Sequence, residues 1–174
     1  MKRRTAIIIT IVALIVPFLL LGTYAVSSLS HTPVTEAKTT PQSKYDVGAP
    51  ESGELLELVN AERATYGVAP LVMDDRLNQS AQMKADDMVA RDYFDHKDPS
   101  GQYNGLIAIR DSGVPCEHYS ENIRDNNASI NTSRETFDAW VASQKHHTAM
   151  INGAYTLTGL GASGDMAVQH FCQQ

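Results

Sequence analysis

A basic triplet, Lys2-Arg3-Arg4, stands before an apolar run from Ala6 to Val26 that is broken only by Thr10, Pro17, Gly22, Thr23 and Tyr24. As a helix this run would be about 31 Å long, the thickness of a bilayer's hydrocarbon core. Pro17 is compatible with such a helix, because membrane helices tolerate proline better than soluble ones do. The basic flank predicts the N-terminus in the cytoplasm and everything after Val26 outside it. Two readings stand. One is a retained signal anchor. The other is a cleaved secretory signal peptide, since Ala25-Val26-Ser27 loosely fits a small-x-small cleavage pattern, although secretory apolar regions usually run only about 7–15 residues. Either way, only the sequence beyond residue 26 is left to build an extracytoplasmic fold.

Residues 27–50, SSLSHTPVTEAKTTPQSKYDVGAP, are rich in Ser, Thr and Pro and carry no apolar period. Such a stretch buries too little surface to offset its ordering entropy and reads as a flexible linker; His31 within it is given no role. Residues 51–174 remain as one globular head, long enough for a single hydrophobic core. The organisation expected is therefore 1–26 signal anchor or signal peptide, 27–50 linker and 51–174 domain. The chain carries 14 Lys+Arg against 20 Asp+Glu, and three of those basic residues sit in the N-terminal triplet, so the head is strongly acidic. Nucleic acid is excluded as a partner, because binding phosphate requires a basic face.

Within the head, apolar spacing predicts a helix from Glu54 to Gly67 with Leu55 and Val59 inward and Gly67 as the residue after its C-terminus. A second helix is predicted from Asp74 to Ala90, capped by Asp74 or Asp75, with Leu77, Ala81, Ala85 and Met88 at helical spacing. Residues 92–101 form a turn-rich loop, and a short helix follows from Asn104 to Asp111, stopped at Gly113. Thr132-Ser-Arg-Glu135 fits a capping box that opens a helix carrying Phe137, Trp140 and Val141 inward. The tail changes to strand character over Tyr155–Gly161 and Met166–Cys172, with Ser163-Gly164-Asp165 as the hairpin turn. Helices first and a hairpin last give an α+β class, not alternating βαβ units.

Five of the six histidines lie in the head: His96, His118, His146, His147 and His170. Outside the cell a histidine beside carboxylates is a candidate metal ligand or acid–base group, but a single histidine is more often structural. His118 and His170 are read as structural, and of the adjacent His146 and His147 at most one can face a given site. Glu121-Asn122, beside Tyr119 and Ser120, reads in isolation as a solvated turn. Asp86, Asp87, Asp95 and Asp98 read as solvated charges.

Taken in order, NAERATYGVAPLVMDDRLNQSAQMKADDM, YFDHKDPSG, SENI, W-x-x-S-x-x-H and Y-x-x-x-G-x-G resemble the CAP superfamily. That family comprises cysteine-rich secretory proteins, antigen 5 and pathogenesis-related 1 proteins, with many short bacterial extracytoplasmic (SCP-like) members. The resemblance runs from about Leu55 to Phe171. It implies a three-layer α-β-α sandwich with the early helices on one sheet face and the Thr132–Ser143 helix on the other. It also implies a cleft with two histidines and a glutamate at its floor. The first histidine falls in Phe94-Asp95-His96-Lys97-Asp98-Pro99-Ser100-Gly101. The glutamate is Glu121 of Ser120-Glu121-Asn122-Ile123. The second histidine is His146, 13 residues before the first glycine of Gly159-x-Gly161. Two positions depart from the pattern. Ser120 replaces a glycine, which would strain any backbone with positive φ there. Ser143 stands three residues after Trp140, where many eukaryotic relatives carry a second glutamate. The implied cleft set is His96, Glu121 and His146, with Ser143 beside it.

Two imidazoles on one cavity can hold Zn²⁺ or another divalent cation, so His96 and His146 are the metal candidates, with Glu121 orienting a histidine or a bound water. Cys116 and Cys172, both extracytoplasmic, are expected to form one disulfide tying the loop before Glu121 to the last strand. The function expected is a non-enzymatic binding module whose cleft faces a lipid, an envelope component or a protein, joined to the membrane through the N-terminal helix. The alternative is a metal-assisted hydrolase of protease or esterase type using the same cleft, although no H-E-x-x-H motif is present. A third reading is a structural envelope protein.

Overall fold

The computed structural model describes residues 50–126 and 132–174. The expected membrane or signal helix at 1–26, and the linker apart from Pro50, lie outside the described residues. No helix among the described residues is long and apolar enough to cross a membrane.

Helix α1 spans Ser52–Thr65 and buries Leu55, Val59 and Arg63, one residue per turn along a single stripe. It closes as the sequence predicts. Gly67 takes φ +67°, its N–H reaches the Ala64 carbonyl, and the Val68 N–H reaches that of Arg63, the paired bonds of a Schellman terminus. Strand β1 is only Val72–Met73. Helix α2, Asp75–Ala90, is capped by Asp74, whose carboxylate accepts from the Arg76 N–H at 2.9 Å. Helix α3 spans Asn104–Asp111 and strand β2 His118–Asp125. Helix α4, Ser133–Ala142, opens with both halves of the Thr132/Glu135 capping box. Helix α5, Gln144–Met150, follows after a single corner residue, Ser143. The β3–β4 hairpin, Leu157–Ser163 and Met166–Gln173, ends the chain.

The sheet runs β1-β3-β4-β2, with β1 parallel to β3 and the other pairs antiparallel. Helices lie on both of its faces, and β4 shows how the sequence divides them. Successive side chains point to opposite faces. Ala167 and Phe171 join Leu55, Val59, Phe137, Trp140 and Met150 in one core. Val168 packs instead with Ala81, Ala85, Met88 and Ile123, and Cys172 with Leu77, Ile109 and Val114. Fully burying one such large apolar side chain contributes about 1.5–3 kcal/mol. Helices α1, α4 and α5 thus cover one face, and α2 with α3 the other. This corrects the expectation that both early helices share a face: α1 packs beside α4.

The G-x-G motif is where α2 meets the sheet. A Cβ on Gly159 would come within 2.1 Å of the Leu77 backbone, and one on Gly161 within 2.3 Å of the Gln82 nitrogen. Only hydrogen at these two positions lets helix and strand approach so closely. Asn78 and Gln82 use the proximity, accepting from the Leu160 and Ala162 N–H groups respectively. On the opposite face the buried Arg63 guanidinium donates to the carbonyls of Ala69, Met150, Asn152 and Tyr155, joining α1 to the end of α5 and the start of the hairpin.

The main departure from the sequence reading is β2. Tyr119–Ile123 is a strand paired along its whole length with β4, not a solvated turn, and Glu121, Asn122 and Ile123 are buried. Ser120 sits in that strand without positive φ; among the described non-glycine residues only Asp92 has one. The expected disulfide is present, joining Cys116 to Cys172 across a separation of 56 residues.

Candidate ligand-binding cleft

His96 lies in the loop between α2 and α3, and that loop is built by side chains that the sequence reading had left in solvent. Asp98 Oδ1 accepts from the Ser100 N–H, the Ser100 hydroxyl and the Gln102 N–H, all within 2.6–2.9 Å. Its Oδ2 accepts from Arg91 at 3.1 Å. Hydrogen bonding from Ser100 and Gln102, with Arg91 beside it, holds the Asp98 carboxyl far below the ordinary range.

Beneath the loop Lys84 is 1% exposed. Its ammonium donates to the Asp95 carbonyl and Asn104 Oδ1, both at 2.8 Å, and to the Tyr93 hydroxyl at 3.1 Å. Burial lowers its pKa, against the pull of Glu121 and Asp87. Asp87 completes the network by accepting from Tyr93 and Asn104. Burial, then the bond to Asp87, pushes the Tyr93 phenol up to about 12. A buried polar network of this kind stabilises only when every member is satisfied, and here it fixes the backbone on either side of His96.

Glu121, on β2, is the centre of the site. Its Oε1 lies 2.8 Å from His96 Nδ1, and its Oε2 lies 3.0 Å from Nε2 of His170. His170, fully buried on β4, stands directly opposite Glu121 in the register. His170 Nδ1 in turn lies 2.8 Å from the Ser80 hydroxyl on α2. Burial acts to raise the Glu121 pKa. The hydrogen bonds from His170 and His96 outweigh it, aided by the Lys84 charge, and leave the carboxyl below its ordinary value. Burial likewise lowers His170, against the pull of Glu121. An ionised carboxylate only accepts, so both ring nitrogens that touch it carry the proton. Neutral His170 therefore presents its Nδ1 lone pair to Ser80.

Helix α3 admits this arrangement through Gly105, where a Cβ would fall within 1.7 Å of Glu121 Oε2. A small hollow of about 160 Å³ opens beside the site, lined by His96, Tyr103, Leu106, Tyr119, Ser120 and Glu121.

The structure therefore joins His96 to Glu121 directly. His146, on α5, is placed by its backbone: its carbonyl accepts from Asn122 Nδ2 at 3.1 Å, beside Glu121 in sequence. Its ring is half-buried and makes no hydrogen bond to His96 or Glu121 among the described residues. Burial lowers the His146 pKa, and the His96 and Lys145 charges add to the effect. Ser143 is the corner between α4 and α5, its carbonyl accepting from the His147 N–H at 2.8 Å. Neither His146 nor Ser143 lines the hollow at His96. His147 turns away to Glu62, with its Nε2 2.8 Å from Oε1.

Sequence reasoning missed His170, Ser80, Lys84 and Gly105. The signal for His170 was present: in Val168-x-His170-x-Cys172 an ionisable side chain occupies an inward strand position.

No group of three or more His, Cys, Asp or Glu side chains among the described residues is arranged to hold a metal ion. Glu121 has both oxygens committed to imidazoles. Its Oε1 engages His96 through Nδ1, leaving Nε2 as the ring nitrogen without a hydrogen bond among the described residues. This is the pattern of a carboxylate that orients a ligating histidine.

A four-stranded sheet with helices on both faces and a histidine–glutamate cleft beside one edge strand defines a mixed α+β module of the SCP type. The chain belongs to the CAP, or cysteine-rich secretory protein, family, whose sequence profile matches residues 56–174. It is 33% identical over 150 residues to YkwD of Bacillus subtilis (strain 168), covering 83% of this chain and 56% of that protein. It is 28% identical over 122 residues to the membrane protein YlbC of the same organism, covering 70% of this chain and 34% of that one. The chain thus spans little more than half of one curated relative and a third of the other. In fold it is similar to an extracellular SCP-domain protein from Bacillus anthracis, with TM-score 0.64 and 21% identity, covering 71% of this chain and 40% of that one. It is also similar to an outer surface protein of Borrelia burgdorferi, with TM-score 0.60 and 18% identity, covering 69% and 90%.

Proposed function

We propose that the chain is an extracytoplasmic binding module, held at the membrane by residues 1–26 or released after their cleavage. Its cleft at His96, Glu121 and His146 takes a divalent cation or a small ligand and faces a lipid, an envelope component or a protein. The observation that carries this reading is the double engagement of Glu121. With both oxygens hydrogen-bonded to imidazoles, the carboxylate holds His96 in one tautomer and leaves Nε2 as its unshared nitrogen. A group so occupied suits positioning a ligand-binding ring better than abstracting a proton from water, which favours binding over metal-assisted hydrolysis at this cleft. Basic Lys2-Arg3-Arg4 before the long apolar run supports the extracytoplasmic placement, as do the disulfide and the extracellular and surface character of the structural neighbours.

Titration calorimetry of the full chain with Zn²⁺ tests the proposal. Wild type should take up one ion, and the His96→Ala/His146→Ala double variant should give only dilution heat. Equal uptake by both proteins would remove these histidines from the site. Turnover of a peptide panel by the Zn²⁺-loaded protein, lost in the double variant, would favour the hydrolase instead.

A further inference from the structure

We infer that Ser80, His170 and Glu121 form a nucleophile–base–acid chain that opens into the groove between α2 and α3, where it cleaves small carboxylic esters. Three observations meet here. The first is geometric: the Ser80 hydroxyl lies 2.8 Å from His170 Nδ1, and His170 Nε2 lies 3.0 Å from Glu121 Oε2. This is the connectivity by which an acid orients an imidazole and the imidazole activates a hydroxyl, with the two ring nitrogens in exchanged roles.

The second observation is the protonation pattern. With a carboxylate oxygen as the partner at Nε2, the His170 proton sits there, and Nδ1 is the ring's acceptor facing the Ser80 hydroxyl. The hydroxyl has a second acceptor within reach, the Leu77 carbonyl at 2.9 Å. The Nδ1 lone pair competes with it for the single proton.

The third is space. Ser80 is one of the residues lining a groove of about 530 Å³, beside Met83, Ile107 and Ala108, with Arg76 and Gln79 on the same wall. This groove is on the α2 side of His170, separate from the hollow at His96. Met83, Ile107 and Ala108 suit an acyl chain, and Gln79 lines the same groove, as does Arg76, whose guanidinium is bonded to Asp74 and to the Gly113 carbonyl. Ser80 itself is 2% exposed, which restricts reaction to small or unbranched acyl groups.

The step balances within these residues. As Ser80 Oγ bonds to the ester carbonyl carbon, its proton passes to His170 Nδ1. The bond from that carbon to the alcohol oxygen breaks, and the departing oxygen takes the proton from His170. Water then attacks the acyl-serine and gives its proton to His170, which returns it to Ser80 Oγ as the carboxylic acid leaves. Glu121 stays ionised throughout.

The test treats the full chain with a fluorophosphonate serine probe in a chelator-containing buffer, so that it is independent of cation binding at His96 and His146. Peptide mapping should place the adduct on Ser80 in folded wild type and find none after unfolding in denaturant. Hydrolysis of p-nitrophenyl butyrate should fall by about a hundredfold or more in Ser80→Ala. An unlabelled Ser80 in folded wild type would overturn the inference, as would wild-type ester turnover in Ser80→Ala. The labelling result needs no variant to fold.

Discussion

Glu121 and His170 stand opposite each other on β2 and β4, and the buried bond between them, 3.0 Å from Nε2 to Oε2, is the only cross-strand carboxylate–imidazole pair among the described residues. It ties an edge strand to the sheet at the point where the cleft on one side and α2 on the other both draw on it. The carboxylate is shared with His96 and the imidazole with Ser80, so four side chains from four separate segments depend on one pair.

That pair sets a pH dependence. Burial holds His170 below its ordinary value of 6.5. The unfolded chain therefore takes up this proton first as pH falls. Stability is fully present above pH 6.5 and is lost as pH drops through the folded value. Glu121, held below 4.5, adds a second loss at more acid pH with the same sign. Urea midpoints measured between pH 7 and 5 should fall in wild type and be flatter in His170→Gln. That variant should also be less stable at pH 7 by about 1–3 kcal/mol, because Ser80 and Glu121 lose a buried partner.

Gly105→Ala should disturb the site without touching a polar group. The new methyl would sit 1.7 Å from Glu121 Oε2, forcing the carboxylate from His170. A loss of about 1–3 kcal/mol is expected, read by thermal denaturation. Gly53→Ala in α1 meets nothing within 4 Å, so the same comparison should show no loss and a gain of up to about 1 kcal/mol.

Lys84→Met should loosen the His96 loop. It removes the donor to Asp95, Asn104 and Tyr93 while roughly conserving the aliphatic stem. Amide exchange over residues 92–104 should accelerate more than over the β3–β4 hairpin, with a stability loss of about 1–3 kcal/mol. Uniform acceleration across the domain would show that Lys84 supports the whole fold and not the loop.

Reducing the Cys116–Cys172 bridge, or replacing both cysteines with serine, should lower stability by up to about 4 kcal/mol for a 56-residue separation. Urea unfolding with and without reductant measures it. The anchored segment is the entry to β2, so exchange at His118–Ser120 should respond before exchange in α1.

The sequence by itself determined what local rules control. The Schellman end at Gly67, the cap at Asp74, the capping box at Thr132 and the turn at Ser163–Asp165 each depend on a few neighbouring residues, and all four stand where the spacing predicts. The order of motifs likewise carried His96 and Glu121 to a common place. Tertiary structure decided what depends on register and on layers. β2 carries too little apolar alternation to announce itself, so its pairing with β4, and with it the meeting of Glu121 and His170, exists only once the sheet is assembled. Asp87 reads as a solvated charge until Tyr93 and Asn104 of the 92–104 loop bond to it. The side of the sheet chosen by α1 was equally hidden, since an apolar stripe records that a helix is buried but not against which face.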